Sequence, residues 1–237
     1  LPASFDRLFQ KCSETLQATT DLVFPPCCAL CHARLFSSDP IVCDDCERQL
    51  VLLSAPSCDQ CGMPLDMPDE DCTFCVGRTL HFVRAQAVLE FNQPVQTLIH
   101  LLKYRDRRSV GRFLGHRIGK IVVHESWFSH IDRIVPVPLH AVRRRERGYN
   151  QAEEIARGLA FCTHIPVDAG ALLRRHSTRS QTRLSVDERR TNVRNVFGVS
   201  TGRHFKNARI ALVDDVYTTG ATLDECAAGT GGRRRRC

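Results

Sequence analysis

The chain has 237 residues, 43% of them hydrophobic and 25% charged, with a formal net charge of +7. That length suits one mid-sized domain with a small companion, and the apolar share is that of an ordinary globular protein with a buried core. No stretch approaches the roughly 18 consecutive apolar residues of a membrane span, and residues 1–11 lack the basic start and apolar run of a secretory leader. A cytoplasmic protein is expected, and its charge permits an anionic partner without naming one.

Cysteines organise the first part of the chain. Eight of the 13 form four C-x-x-C pairs: Cys28 with Cys31, Cys43 with Cys46, Cys58 with Cys61, and Cys72 with Cys75. Two residues between thiols let both thiolates face one ion, and two such pairs complete a tetrahedral four-sulfur site. Disulfide scaffolds belong to short secreted chains, and a thioredoxin-like redox motif needs one C-x-x-C within a βαβ pattern. Structural zinc is therefore the reading, with disulfide or redox chemistry as the alternative. The simplest grouping takes Cys28, Cys31, Cys43 and Cys46 as one site and Cys58, Cys61, Cys72 and Cys75 as the other; a crossed grouping also satisfies the spacing. Residues 1–80 otherwise hold several prolines and little periodicity, so metal is expected to hold them together.

Over residues 81–237, strand-like and helix-like patterns alternate. Residues 84–91 predict a strand, 95–104 and 110–123 amphipathic helices, and 133–137 a short apolar strand. A helix over 151–161 follows, capped by Asn150. Residues 167–173 predict a weaker strand, Ser185-Val186-Asp187-Glu188 a capping box, and 196–199 and 209–213 two more strands. Such alternation predicts an α/β fold with a Rossmann-like, doubly wound parallel sheet.

The sharpest motif is Val213-Asp214-Asp215-Val216-Tyr217-Thr218-Thr219-Gly220-Ala221-Thr222. It follows an apolar strand and precedes a helix, which puts it where open α/β sheets bind ligands. Its small residues offer backbone N–H groups and hydroxyls to a phosphate, and Gly220 allows close approach. Two adjacent acids can accept hydrogen bonds from a vicinal diol such as a ribose. An acidic helix-capping turn is the plainer alternative.

This string resembles the phosphoribosyl pyrophosphate motif of type I phosphoribosyltransferases, and the chain resembles the ComF/GntX family of competence-associated, phosphoribosyltransferase-like proteins. Other residues that carry the likeness are Leu102-Lys103-Tyr104, Val135-Pro136-Val137-Pro138-Leu139-His140, Arg144-Arg145-Glu146-Arg147-Gly148-Tyr149-Asn150, Gln181-Thr182-Arg183-Leu184 and Glu188-Arg189-Arg190-Thr191-Asn192-Val193. The resemblance implies a type I phosphoribosyltransferase fold behind an N-terminal double zinc ribbon. It also implies a role in taking up single-stranded DNA in natural transformation, with a DNA-uptake helicase as partner. The family continues past the acidic loop with a longer helix and a final strand. Here Gly229, Gly231, Gly232 and an arginine run replace that continuation, which reads as a truncated or frameshifted end.

On the implied reading, phosphoribosyl pyrophosphate binds with magnesium, and attack at ribose C1 displaces pyrophosphate. Asp214 and Asp215 hold the ribose hydroxyls; Thr218, Thr219, Gly220, Ala221 and Thr222 hold the 5′-phosphate. The loop at Val137 and Pro138 receives pyrophosphate. Arg144, Arg145 and Arg147 would neutralise it by their guanidinium forks, although a charge run is also a common solvated face. Lys103 either reaches a phosphate or completes its helix end. Arg179 and Arg183 lie in a polar stretch that resembles the closing loop of the fold, with an ordinary surface loop as the alternative. No segment resembles a hood that would select a nucleobase, so the acceptor is not written in the sequence. The rival reading is a non-catalytic module that grips single-stranded DNA or senses a nucleotide on the same fold.

Overall fold

The computed structural model describes residues 25–36, 41–53, 56–67, 71–174, 196–232 and 235–236. The chain forms two compact units, Leu1–Leu50 and Val51–Cys237. In the first, a hairpin turn joined by a bridge between Cys27 and Arg34 carries Cys28 and Cys31. Helix α1 (Asp44–Glu47) follows, with Cys43 at its N-cap and Asp44, Asp45 and Glu47 near its positive end. Leu35, Val42 and Leu50 are buried with Cys28 and Cys46, a core too small to stand without a further cross-link.

The second unit opens with the second cysteine cluster and strand β1 (Thr79–Leu80), which pairs antiparallel with β6 (Arg235–Arg236). Residues 84–91 do not form the strand their pattern predicts. Only Leu89 pairs, in an isolated bridge to Leu52, flanked by Leu53 N–H to Val88 O and Glu90 N–H to Val51 O, each 2.9 Å. Alternation suits a pleated surface, but a strand persists only beside a neighbour long enough to pair with it.

Helix α2 (Gln93–Tyr104) is capped by Asn92, whose side chain accepts from Val95 N–H at 3.3 Å. Its apolar stripe buries Val95, Leu98, Ile99 and Leu102. Helix α3 (Arg108–Val122) crosses α5 (Gln151–Thr163) at close range, because a Cβ on Gly115 would collide with the Ile155 carbonyl and one on Gly158 with that of Arg112. Asn150 caps α5, accepting from Ala152 N–H at 3.1 Å. A short 3₁₀ turn, Phe128–His130, leads into β2.

Strand β2 (Arg133–Pro136) runs parallel to β5 (Ile210–Val213), with Arg133 opposite Ile210 and Pro136 opposite Val213. On its other side Ile134 bridges Val167 in parallel. The expected 167–173 strand breaks there. Asp168 turns the chain, and β3 (Leu172–Arg174) pairs antiparallel with β4 (Phe197–Val199) instead. The parallel sheet is thus small, and the fold is a mixed α/β one.

Alternation along β2 divides the core. Ile134 packs with Val122, Phe128, Ala156 and Leu159 on the α3–α5 side. Val135 and Val137 pack with Ala171, Leu172, Phe197 and Cys226 on the other, where α6 (Ala221–Gly229) lies. The arginine run forms a helix of its own, α4 (Ala141–Arg147), closed by Gly148 at φ +74°. The capping box at 185–188 lies outside the described residues. Among those that are described, no helix is long and apolar enough to cross a membrane.

Candidate functional site

The eight paired cysteines form two clusters, Cys28, Cys31, Cys43 and Cys46, and Cys58, Cys61, Cys72 and Cys75, with the four sulfurs of each all within 4.8 Å of one another. Sulfurs 3.7 Å apart in the first (Cys31 and Cys43) and 3.8 and 3.5 Å apart in the second (Cys58 with Cys75, Cys61 with Cys72) match an ion-centred tetrahedron. Four Zn–S bonds of about 2.3 Å give an edge of about 3.8 Å, whereas a disulfide needs about 2.05 Å. The donor set is soft and closed, as in structural zinc sites.

The two knuckles repeat each other. Cys28 N–H bonds Ala33 O at 2.8 Å and His32 N–H bonds Cys28 O at 3.0 Å; Cys58 N–H bonds Met63 O at 2.9 Å and Gly62 N–H bonds Cys58 O at 2.8 Å. His32 and Gly62 take matching positive φ of 62° and 69°, the turn that aims the preceding amides at sulfur. Burial pushes the Cys28 thiol up, but the N–H groups of Cys31, Cys43 and Leu30 outweigh it and bring it down to about 6. At Cys58 the N–H groups of Cys61 and Gln60 likewise overcome burial and bring it to about 7. Each cluster therefore holds one sulfur ready to bind as thiolate.

The acidic motif sits where β5 ends, beside the exit of β2. Val137 N–H donates to Val213 O at 2.9 Å, so Val137 and Pro138 adjoin Val213 and Asp214. Asp214 Oδ1 accepts Asp215 N–H at 2.8 Å. Burial and the neighbouring Asp215 charge push the Asp214 carboxyl up to about 6, against the pull of that N–H group and of Lys103. The Lys103 ammonium, from α2, stands 2.9 Å from Asp215 Oδ2.

Beyond the acids, Thr218, Thr219, Ala221 and Thr222 are exposed around the buried Gly220, whose φ is +67° at the N-cap of α6. Arg144 and Arg145 are exposed on α4. The Arg147 guanidinium lies 5.3 Å over the ring of Tyr104, the residue after Lys103. Arg179 and Arg183 lie outside the described residues.

Tyr217 lies inside the motif string, yet its spacing assigns it no role. Its hydroxyl donates to the Cys61 carbonyl at 2.7 Å, across 156 residues of sequence. The motifs likewise give His81 and Asp224 no role. His81 N–H donates to Asp224 Oδ1, and its ring Nδ1 is 3.2 Å from Oδ2. No local pattern marks either contact, since both depend on the folded chain.

Residues 19–76 match the double zinc ribbon domain family. The chain is 32% identical over 174 residues to DNA utilization protein YhgH of Escherichia coli O157:H7, spanning 71% of this chain and 74% of that one. It is 31% identical over 177 residues to competence protein F of Haemophilus influenzae, spanning 73% and 77%. Over 90 residues it is 36% identical to competence protein ComFC of Bacillus subtilis, spanning 38% and 34%. No solved structure matches the chain.

Proposed function

The chain belongs to the ComF/GntX family, that of competence protein F and DNA utilization protein YhgH, and on that premise we propose that it serves DNA uptake by a site that binds phosphoribosyl pyrophosphate with magnesium. The observation that carries the site is the meeting of two parallel strand exits: Val137 N–H reaches Val213 O at 2.9 Å just before the acidic pair. Ligands of open α/β sheets lodge at such exits.

On this reading Asp214 and Asp215 accept the ribose hydroxyls, and the 218–222 loop offers hydroxyls and N–H groups to the 5′-phosphate. Val137 and Pro138 face the pyrophosphate, with Arg144, Arg145 and Arg147 supplying charge. Magnesium would enter with the ligand and offset the negative charge of its phosphates. In a transferase, Lys103 would leave Asp215 for a phosphate as the ligand enters. Arg179 and Arg183 would close the site against water. The overall fold would be that of the type I phosphoribosyltransferases.

A second reading, a non-catalytic grip on single-stranded DNA with a DNA-uptake helicase as partner, is favoured by one observation. Tyr104 is 60% exposed and has the Arg147 guanidinium 5.3 Å over its ring, and an aromatic face paired with a cation is what single strands stack on. Calorimetric titration with phosphoribosyl pyrophosphate, with and without magnesium, tests the site; magnesium-dependent binding lost on changing Asp214 and Asp215 to Asn is the expected result. Pyrophosphate release on adding candidate acceptors separates a transferase from a grip.

A further inference from the structure

We infer that the second cysteine cluster sets the conformation of the 214–222 loop, so that metal at Cys58, Cys61, Cys72 and Cys75 and the state of that loop are coupled through the Tyr217 hydroxyl. Three features join them within the Val51–Cys237 unit. Tyr217 sits between the acidic pair and the threonines, and it donates to the carbonyl of Cys61 at 2.7 Å. Cys61 is fully buried and is one of the four sulfur donors, so metal at the cluster fixes the acceptor.

Asp224, in the first turn of α6, takes the N–H of His81, which directly follows β1 behind the cluster. The cluster and the helix also share one apolar core, in which Cys61, Cys75, Leu80 and Phe82 pack with Ala227, Leu212 and Leu223. Within the loop, a Cβ on Gly220 would stand 2.8 Å from the Tyr217 hydroxyl oxygen. The tyrosine is therefore the surface on which the turn at Gly220 is moulded. Tyr217 is a positioning residue that carries order from the metal to the loop. By linkage, a ligand that orders the loop tightens metal at this cluster by the same factor.

The effect on ligand rests on the phosphoribosyl reading above; the metal–loop coupling does not. The test uses the full chain with both clusters loaded with zinc and reads amide hydrogen exchange over 214–224. Tyr217→Phe keeps the ring and drops the hydroxyl. It should retain both zinc ions and speed exchange there about fivefold, the worth of one hydrogen bond. Cys72→Ser, which opens the second cluster, should speed it more, and Cys31→Ser, which opens the first, should leave it unchanged. Unchanged exchange in Tyr217→Phe, or loosening by Cys31→Ser as large as by Cys72→Ser, overturns the coupling. Phosphoribosyl pyrophosphate should tighten zinc at the second cluster, read by chelator competition at equilibrium, about tenfold in the wild type and much less in Tyr217→Phe. If it does not, while Tyr217→Phe still loosens the loop, the coupling stands and the ligand reading falls.

Discussion

The Lys103 ammonium reaches from the last turn of α2 to within 2.9 Å of Oδ2 of Asp215, a carboxylate only 8% exposed. A lysine at that place in a helix is commonly placed for the dipole; here it neutralises the second of two adjacent acids. Lys103→Met keeps the apolar stem and removes the charge, leaving the part-buried acids to repel each other. The expected loss is about 2 kcal/mol at pH 8. It should shrink at pH 4.5, where Asp214, pushed up to about 6, is largely protonated. Urea unfolding at the two pH values measures both, and an equal loss at each would contradict the electrostatic account.

Asp214 makes a prediction of opposite sign. Its carboxyl is raised from an ordinary 3.8 to about 6, first by burial and then by the Asp215 charge. A raised folded-state value means that the folded protein holds the proton more tightly than the unfolded chain. Its contribution to stability is full below about pH 4 and is lost as pH rises through about 6. Asp214→Asn should therefore stabilise the protein at pH 8 by about 2 kcal/mol, after allowance for the residue's partial exposure, and change little near pH 4. A site that strains the fold for its ligand behaves this way. Thermal melts from pH 4 to 8 check it; a variant less stable than the parent at pH 8 would refute it.

Much of the scaffold was legible because its signals are local. Cysteine spacing pointed to metal, apolar periodicity marked α2, and Asn150 marked the start of α5. Other features are settled by neighbours. Residues 84–91 alternate like a strand, but only Leu89 finds a partner, at Leu52. The arginines of α4 read as a charge run, although His140 before them and Gly148 after them are helix boundaries. The pairing of Lys103 with Asp215 and the bond from Tyr217 to Cys61 join residues far apart in sequence, so no spacing rule could announce them.

Metal analysis should return two zinc ions per chain, and Cys28→Ser should return one. The thiols of the loaded protein should resist alkylation until a chelator is added, because coordinated sulfur is a poor nucleophile. Because Cys28 belongs to the Leu1–Leu50 unit, its substitution should leave the melting of the Val51–Cys237 unit in place. Purified protein with no zinc and with thiols oxidised in pairs would reject the metal reading.

Arg144, Arg145 and Arg147 should set the salt dependence of single-stranded DNA binding. If about three to five cations meet phosphates, log K falls against log salt with a slope of roughly −2 to −4. Changing all three arginines to Gln should reduce that slope by about 2, near 0.7 for each lost contact. Tyr104→Ala should instead weaken binding at every salt concentration, by about 1–3 kcal/mol if a base stacks there. Fluorescence anisotropy of labelled oligonucleotides over a salt series distinguishes them, and a triple variant with the parent's slope would exclude this face.

Gly220 gives the sharpest test of the proposed phosphate loop. Its φ of +67° lies in the left-handed region, which a β-branched residue adopts only at a strain of about 1–3 kcal/mol. A Cβ there also meets the Tyr217 hydroxyl oxygen at 2.8 Å. In the parent protein, phosphoribosyl pyrophosphate at about a hundred times its dissociation constant should add about 2.7 kcal/mol, a melting shift of roughly 5–10 °C for a unit of this size. Magnesium should enlarge the shift by screening the pyrophosphate, and ribose 5-phosphate should give a smaller one because it lacks those contacts. Gly220→Val should lower the melting temperature without ligand and abolish the shift, since the added bulk presses on Tyr217 and displaces the backbone that a phosphate would approach. Gly220→Ala should fall between them, with a reduced but measurable shift. A loop that only caps α6 would lose stability in both variants, yet the parent would show no ligand shift to lose. Scanning fluorimetry on the three proteins, each with and without magnesium and ligand, separates the two cases.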